Sequence, residues 1–101
     1  MYVIVTIHTP HKRAIDALRD SMLRFGEAIR SQPGLVDAHT VMCEDGRMIG
    51  MALWETQEAY ERGRVAGSAA VKDDPFDQWE SEPVQLYRGH TCARTAQPDA
   101  T

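Results

Sequence analysis

His39, Trp54, Tyr60 and Arg64 are the side chains whose types could bind or react with a small molecule. Trp54 offers a broad amphipathic face on which a planar ring can stack. Tyr60 follows six positions later and can donate a hydrogen bond to a phenolate or quinone oxygen. His39 carries an imidazole that can take a proton near neutral pH, which would make it the base toward a phenolic hydroxyl. Arg64, with Arg62 beside it, brings positive charge to an anionic substrate. Each has a plainer use as well: Trp54 as a core residue at a strand-to-helix junction, Tyr60 as a packing group, His39 as a surface strand histidine, and the arginines as an exposed helix face.

Other reactive residues point to less. His8 and His11 flank Pro10 at a strand-to-helix corner, but no carboxylate or cysteine stands at ligand spacing beside them, so they read as solvated loop histidines and no metal is expected. Cys43 and Cys92 lie far apart with no CxxC pattern, which fits neither a zinc site nor a disulfide scaffold and suits a reducing cytoplasm. Asp and Glu number 15 against 11 Lys and Arg, and the two signs interleave along the chain. A nucleic-acid binder would carry a basic stripe, so nucleic acid is not an expected partner. The apolar run at residues 2–7 is too short for an export signal, and no apolar stretch approaches the roughly 20 residues of a membrane-spanning helix, so no membrane is expected either.

The elements that must position these residues follow from periodicity. Residues 2–8 are β-branched and aromatic and read as strand 1. Thr9 is a candidate N-cap with Pro10 at the first helical position, and Ile15, Leu18, Met22, Phe25 and Ile29 then recur at spacings of three and four, one apolar stripe on a helix that ends near Ser31, ahead of Pro33 and Gly34. Residues 35–43 and 48–54 are strands 2 and 3. Asp45-Gly46 predicts a two-residue type I′ turn between them, with Cys43 opposite Met48, Val41 opposite Gly50, His39 opposite Ala52 and Asp37 opposite Trp54. That register puts His39 on one face with Gly50, Ala52 and Trp54, whose small members would leave a hollow beside the imidazole. Thr56 caps a second helix running to about Val71, with a small inner face of Ala59, Gly63, Ala66 or Gly67, and Ala70. That face suits either close packing or an open cleft. A short segment at residues 76–79 precedes strand 4 at residues 84–88, and a polar tail covers residues 89–101.

At 101 residues, 43% of them apolar, the chain builds a single core. The order βαββαβ predicts an α+β, ferredoxin-like fold: one four-stranded antiparallel sheet with both helices on one face. Residues 1–88 form that domain, and residues 89–101 form the tail. The strands are not polar on alternate residues, so the second sheet face needs a cover, and a second copy of the chain would supply it as a two-fold homodimer. The tail at residues 92–98 would then lie across the partner subunit.

Pro33-Gly34-Leu35 ahead of the hairpin, and Trp54-Glu-Thr-Gln-Glu-Ala59-Tyr60 from strand 3 into helix 2, resemble the antibiotic biosynthesis monooxygenase (ABM) domain family, the dimeric α+β barrels. The likeness spans most of residues 2–88. It implies a homodimer, and among the family's activities are metal-free and flavin-free oxidation of phenolic polyketide intermediates and haem degradation. In the polyketide-oxidising members, the tryptophan and tyrosine matching Trp54 and Tyr60 line the substrate cleft. Their asparagine four residues before the tryptophan corresponds to Gly50, and their later arginine has no clear match. The iron-binding histidine of the haem-degrading members corresponds to Arg64. The resemblance thus implies a cofactor-independent monooxygenase for a planar phenolic or quinol small molecule, with Trp54, Tyr60 and Arg64 toward the substrate and His39 and Tyr60 toward the chemistry. The alternatives are a non-catalytic dimeric binding or interaction module and, third, a haem-binding member.

Overall fold

A computed structural model describes residues 1–94, so the part of the tail expectation that concerns residues 95–98 lies outside the described residues. Four strands, β1 (Tyr2–His8), β2 (Leu35–Met42), β3 (Met48–Trp54) and β4 (Gln85–His90), form one antiparallel sheet in the order β2-β3-β1-β4. Helices α1 (Ile15–Ile29) and α2 (Gln57–Ala70) cover one face, and α3 (Phe76–Trp79) is a single turn ahead of β4. This is the expected ferredoxin-like α+β architecture.

The corners differ in detail from the sequence reading. Thr9 does not cap α1, because the backbone there pairs with the segment before β4: His11 N–H donates to Trp79 O at 2.8 Å and Ser81 N–H to Thr9 O at 2.7 Å. A 3-10 turn over Lys12–Ala14 then leads into α1. Thr56 does cap α2, its Oγ1 accepting from Ala59 N–H at 3.1 Å. Gly34 adopts φ +88°, the left-handed conformation a turn needs between α1 and β2, and its carbonyl accepts from Glu55 N–H. β4 runs through His90, two residues beyond the expected end, with Gly89 and His90 paired to Val3 and Tyr2.

The hairpin turn corrects the register. Cys43 N–H donates to Arg47 O, which leaves three loop residues rather than two, and only the third, Gly46, has positive φ (+92°). A type I′ turn would force Asp45 into that region too; the three-residue loop confines it to the residue that has no Cβ. Asp45 instead accepts from the Arg47 N–H at 3.0 Å and from its guanidinium at 2.9 Å. His39 is therefore opposite Met51, Thr40 opposite Gly50 and Ala38 opposite Ala52, with an irregularity between Leu35 and Asp37. One consequence runs through the whole sheet. Apart from Leu35 opposite Trp54, before that irregularity, every pairing sum is even, so even-numbered strand residues such as Tyr2, Ile4, Ala52 and Trp54 face the helices, and odd-numbered ones beyond Leu35, such as Val5, His39, Met51 and Tyr87, face away.

The core joins Tyr2, Ile4, Ile29, Trp54, Ala59 and Tyr60. The small face of α2 is used for close packing: a Cβ on Gly63 would run into the six-membered ring of Trp54, and one on Gly67 would lie 2.6 Å from the Phe25 ring. A second tie joins α1 to the turn after α2. The buried Ser21 hydroxyl donates to Asp74 Oδ2 at 2.6 Å, and Arg24 reaches the same oxygen at 2.8 Å. The Ser21 hydrogen bond, and after it Arg24, holds the Asp74 carboxyl below its ordinary value.

Two glycines in helices should therefore respond oppositely to alanine. Gly63→Ala gains helix propensity but overpacks Trp54 and should lose about 1–3 kcal/mol. Gly26→Ala meets nothing within 4 Å and should gain up to about 1 kcal/mol. Urea unfolding of both variants checks the pair, and equal signs would contradict the packing described. The depressed Asp74 pKa contributes stability that is present above the unfolded carboxyl value of about 3.9 and is lost as pH falls through the folded one. Asp74→Asn should therefore lower Tm at neutral pH and flatten its fall in acid; parallel acid limbs for the two proteins would remove Asp74 from the account.

Candidate functional site

A cleft of about 1080 Å³ lies between the helix layer and the sheet. Its floor is the even-numbered face of the sheet, with Ile4, Thr6, Gly50 and Ala52 at its centre, and its roof is Met22 and Phe25 of α1 with Tyr60 and Arg64 of α2. Small residues on the floor, Gly50 and Ala52, help to keep the slot open beneath the roof. Gly50 matters most there: a Cβ at this position would come within 2.7 Å of Thr6 Oγ1 and 3.4 Å of Met22 Cε.

Tyr60 is the organising aromatic group. Its ring lies 5.4 Å from Tyr2 and 6.2 Å, edge on, from Trp54. Two guanidinium groups flank it, Arg64 at 5.9 Å from the ring centroid and Arg88 of β4 at 5.6 Å. Such placement is favourable for the cations themselves through the negative face of the ring. It also brings two positive charges to the aromatic ring at one end of a mostly apolar cleft.

The sequence-derived residues fall into two groups. Trp54 and Arg64 both lie near Tyr60, but Trp54 is only 1% exposed, its indole turned under α2 against Gly63. It supports Tyr60 from behind rather than presenting a free face. His39 is not brought to them. The corrected register puts it on the opposite face of the sheet, where its imidazole is solvent-exposed and 3.1 Å from Asp37, and it reaches the cleft only at the β2 rim.

Two contributions escaped the sequence reading. Arg88 is one: its even-numbered place in β4, two residues after Leu86, was the available signal, since alternation puts both toward the helices. The other is at the opposite end of the same floor. His8 is not a solvated loop residue. Its Nδ1 meets Glu80 Oε1 at 2.5 Å with both side chains largely buried, and its Nε2 lies 3.1 Å from Thr6 Oγ1. Glu80 stands 72 residues away in the chain, so only the fold reveals the pairing. No group of three or more His, Cys, Asp and Glu side chains converges to hold a metal among the described residues, and Arg64, at the position matching the haem ligand, is exposed on α2.

Neither a family model nor a curated protein matches the sequence. Solved structures do match the fold. Rv0793 from Mycobacterium tuberculosis superposes with a TM-score of 0.82 at 13% identity, covering 94% of this chain and 98% of that one. A structure described as an antibiotic biosynthesis monooxygenase gives 0.77 at 11% identity, covering 92% and 100%. A variant of SnoaB, a cofactor-independent oxygenase from Streptomyces nogalater, gives 0.74 at 14% identity, covering 95% and 97%. The chain therefore has the fold of antibiotic biosynthesis monooxygenase structures over nearly its whole length, as the resemblance implied.

The burial of Trp54 yields a spectroscopic expectation. With the other indole removed in Trp79→Phe, emission should be blue-shifted and iodide should quench it weakly. Red-shifted, readily quenched emission would mean that the Trp54 ring stands open in the cleft.

Proposed function

We propose that this protein is a homodimeric, cofactor-independent monooxygenase acting on a planar phenolic or quinol small molecule. The observation that carries the reading is the cleft itself: a mostly apolar slot over a floor that includes Gly50 and Ala52, with Tyr60 and two neighbouring arginines at one end. A flat aromatic molecule suits the slot, and the guanidinium groups suit its anion. The fold shared with a cofactor-independent oxygenase adds to this reading.

The chemistry would begin with loss of the phenolic proton, because a phenolate is electron-rich enough to pass one electron to dioxygen without a metal. The substrate radical and superoxide then join at a ring carbon, and the resulting hydroperoxide loses water to leave a quinone. Arg64 and Arg88 would stabilise negative charge delocalised through the ring of the anion, and the Tyr60 hydroxyl would orient the ring oxygen at that end of the cleft.

The dimer reading rests on the odd-numbered sheet face. Val41, Met51 and Tyr87 are 38%, 42% and 57% exposed there, next to Val3, Val5, Ile7, Ile49 and Leu53. A symmetric contact with a second copy would bury this face. No described helix is long and apolar enough to cross a membrane, and the free thiols of Cys43 and Cys92 suit the cytoplasm. A non-catalytic binding module is the second reading, favoured by one observation: Trp54 is wholly occupied in packing.

Oxygen uptake with a panel of phenols and quinols separates the two readings. The enzyme should consume one dioxygen per quinone formed, and Tyr60→Phe should lower kcat/KM about ten- to a hundred-fold, the effect of losing one hydrogen bond to a charged oxygen. Saturable binding of those compounds without oxygen uptake would leave the binding module. Sedimentation at micromolar concentration should show a dimer, and a monomer alone would remove the proposed role of the second sheet face.

A further inference from the structure

The polar group at the far end of the cleft floor is built like an acid-base relay. Glu80 Oε2 accepts from the Thr9 N–H at 3.1 Å while its Oε1 meets His8 Nδ1 at 2.5 Å. A carboxylate that already accepts a backbone hydrogen bond is an acceptor toward the imidazole too, so Nδ1 carries the proton. In the neutral form the lone pair of His8 is then on Nε2. That nitrogen lies 3.1 Å from Thr6 Oγ1, and both side chains line the cleft. The absence of a side chain at Gly50, directly across the strand pair from Thr6, leaves the hydroxyl room on the floor.

The fold fixes this arrangement from three directions. His8 and Thr6 are two residues apart on β1 and share its even-numbered face. Glu80 is anchored by the bridge between its backbone and Pro10 and by the Ser81 hydrogen bonds to Thr9 O. Its side chain is 6% exposed and that of His8 13%, which keeps water from competing for the Nδ1 hydrogen bond. No packing role demands that a histidine and a carboxylate be buried together here. Burying the pair costs desolvation that an apolar pair would avoid.

We propose that His8 is the general base of this cleft, acting on the substrate hydroxyl through Thr6, with Glu80 as the positioning residue that fixes its tautomer. The substrate O–H bond breaks as its proton passes to Thr6 Oγ1, and the Thr6 hydroxyl proton passes to His8 Nε2. The electron pair stays on the substrate oxygen, and the imidazolium that forms is offset by Glu80. The oxygen that loses its proton thereby lies at the Thr6 end of the floor, and Arg64 and Arg88 at the other end meet the negative charge delocalised through the ring. The substrate class in this assignment rests on the proposed phenolic chemistry; the relay rests on the geometry alone.

Two measurements test it. Long-range proton-nitrogen NMR of the wild-type protein needs no ligand and should show His8 protonated at Nδ1 and unprotonated at Nε2 at pH 7. A proton on Nε2, or on both nitrogens, overturns the relay. The second uses 7-hydroxycoumarin, a planar phenol that is mostly neutral in water at pH 7 and whose anion absorbs at longer wavelength, clear of the protein. Bound to the wild-type protein, its anion-to-neutral ratio should rise roughly ten-fold, equivalent to one pKa unit. His8→Gln and Thr6→Val should bind the dye with similar affinity and lose that rise. Glu80→Gln should keep binding, lose most of the rise and lose the Nδ1 protonation signature. A rise that persists in His8→Gln would assign the anion to the arginines and overturn the role of His8. Failure of the wild-type protein to bind the dye, with the NMR signature intact, would overturn the phenolic substrate while supporting the relay as a base for another class of hydroxyl.

Discussion

The contact between Trp54 and Gly63 is the constraint on which the site depends. Trp54 ends β3 and stands on the helix-facing side of the sheet, while Gly63 lies on the inner face of α2. With no Cβ in the way, the helix backbone descends onto the indole, and a side chain of this size removed from water is among the larger contributions to a small core. That seating sets the height and rotation of α2. Tyr60 and Arg64, one turn apart on the same helix, then have their places above the sheet decided by a contact that neither of them makes. The Thr56 cap and the left-handed Gly34 reinforce the same geometry from below, since one fixes where α2 begins and the other lets β2 start beside it.

Much of this was legible in the sequence because it is local. The β-branched runs gave the strands, the three-and-four spacing gave α1, and Thr56 announced α2 with a short polar side chain ahead of a helical stretch. The hairpin was harder for a physical reason. Asp45-Gly46 is compatible with both a two-residue and a three-residue loop, and the choice turns on a small energetic preference for keeping Asp45 out of positive φ. That one-residue difference moved His39 from the floor of the cleft to the far side of the sheet. His8 failed in the opposite sense. Thr6 is close in the chain, but nothing within ten residues signals the carboxylate partner, and Glu80 reaches His8 only because the segment before β4 folds back along residues 9–11.

The two polar ends of the cleft differ in how they are held. Arg64 and Arg88 approach Tyr60 from exposed positions on a helix and an edge strand, so their charge is screened by solvent and adjustable in position. The His8 and Glu80 pair is sheltered and tethered on several sides. A fixed device for protons and a compliant one for negative charge can thus face the same bound molecule, and the compliant end is the one able to adapt to molecules of different outline.

The even and odd division of the strands has a consequence for how such a protein can change over generations. Because the two faces are written in alternate letters of the same four segments, a substitution at an even position tunes what the cleft holds and leaves the outer face untouched, and the reverse holds for an odd one. Recognition of a small molecule and association with a neighbour can therefore drift separately despite sharing every strand. Single-residue insertions or deletions enjoy no such independence: one placed within a strand would transpose the two alphabets beyond that point, turning the outward apolar residues inward and the floor of the cleft out to water.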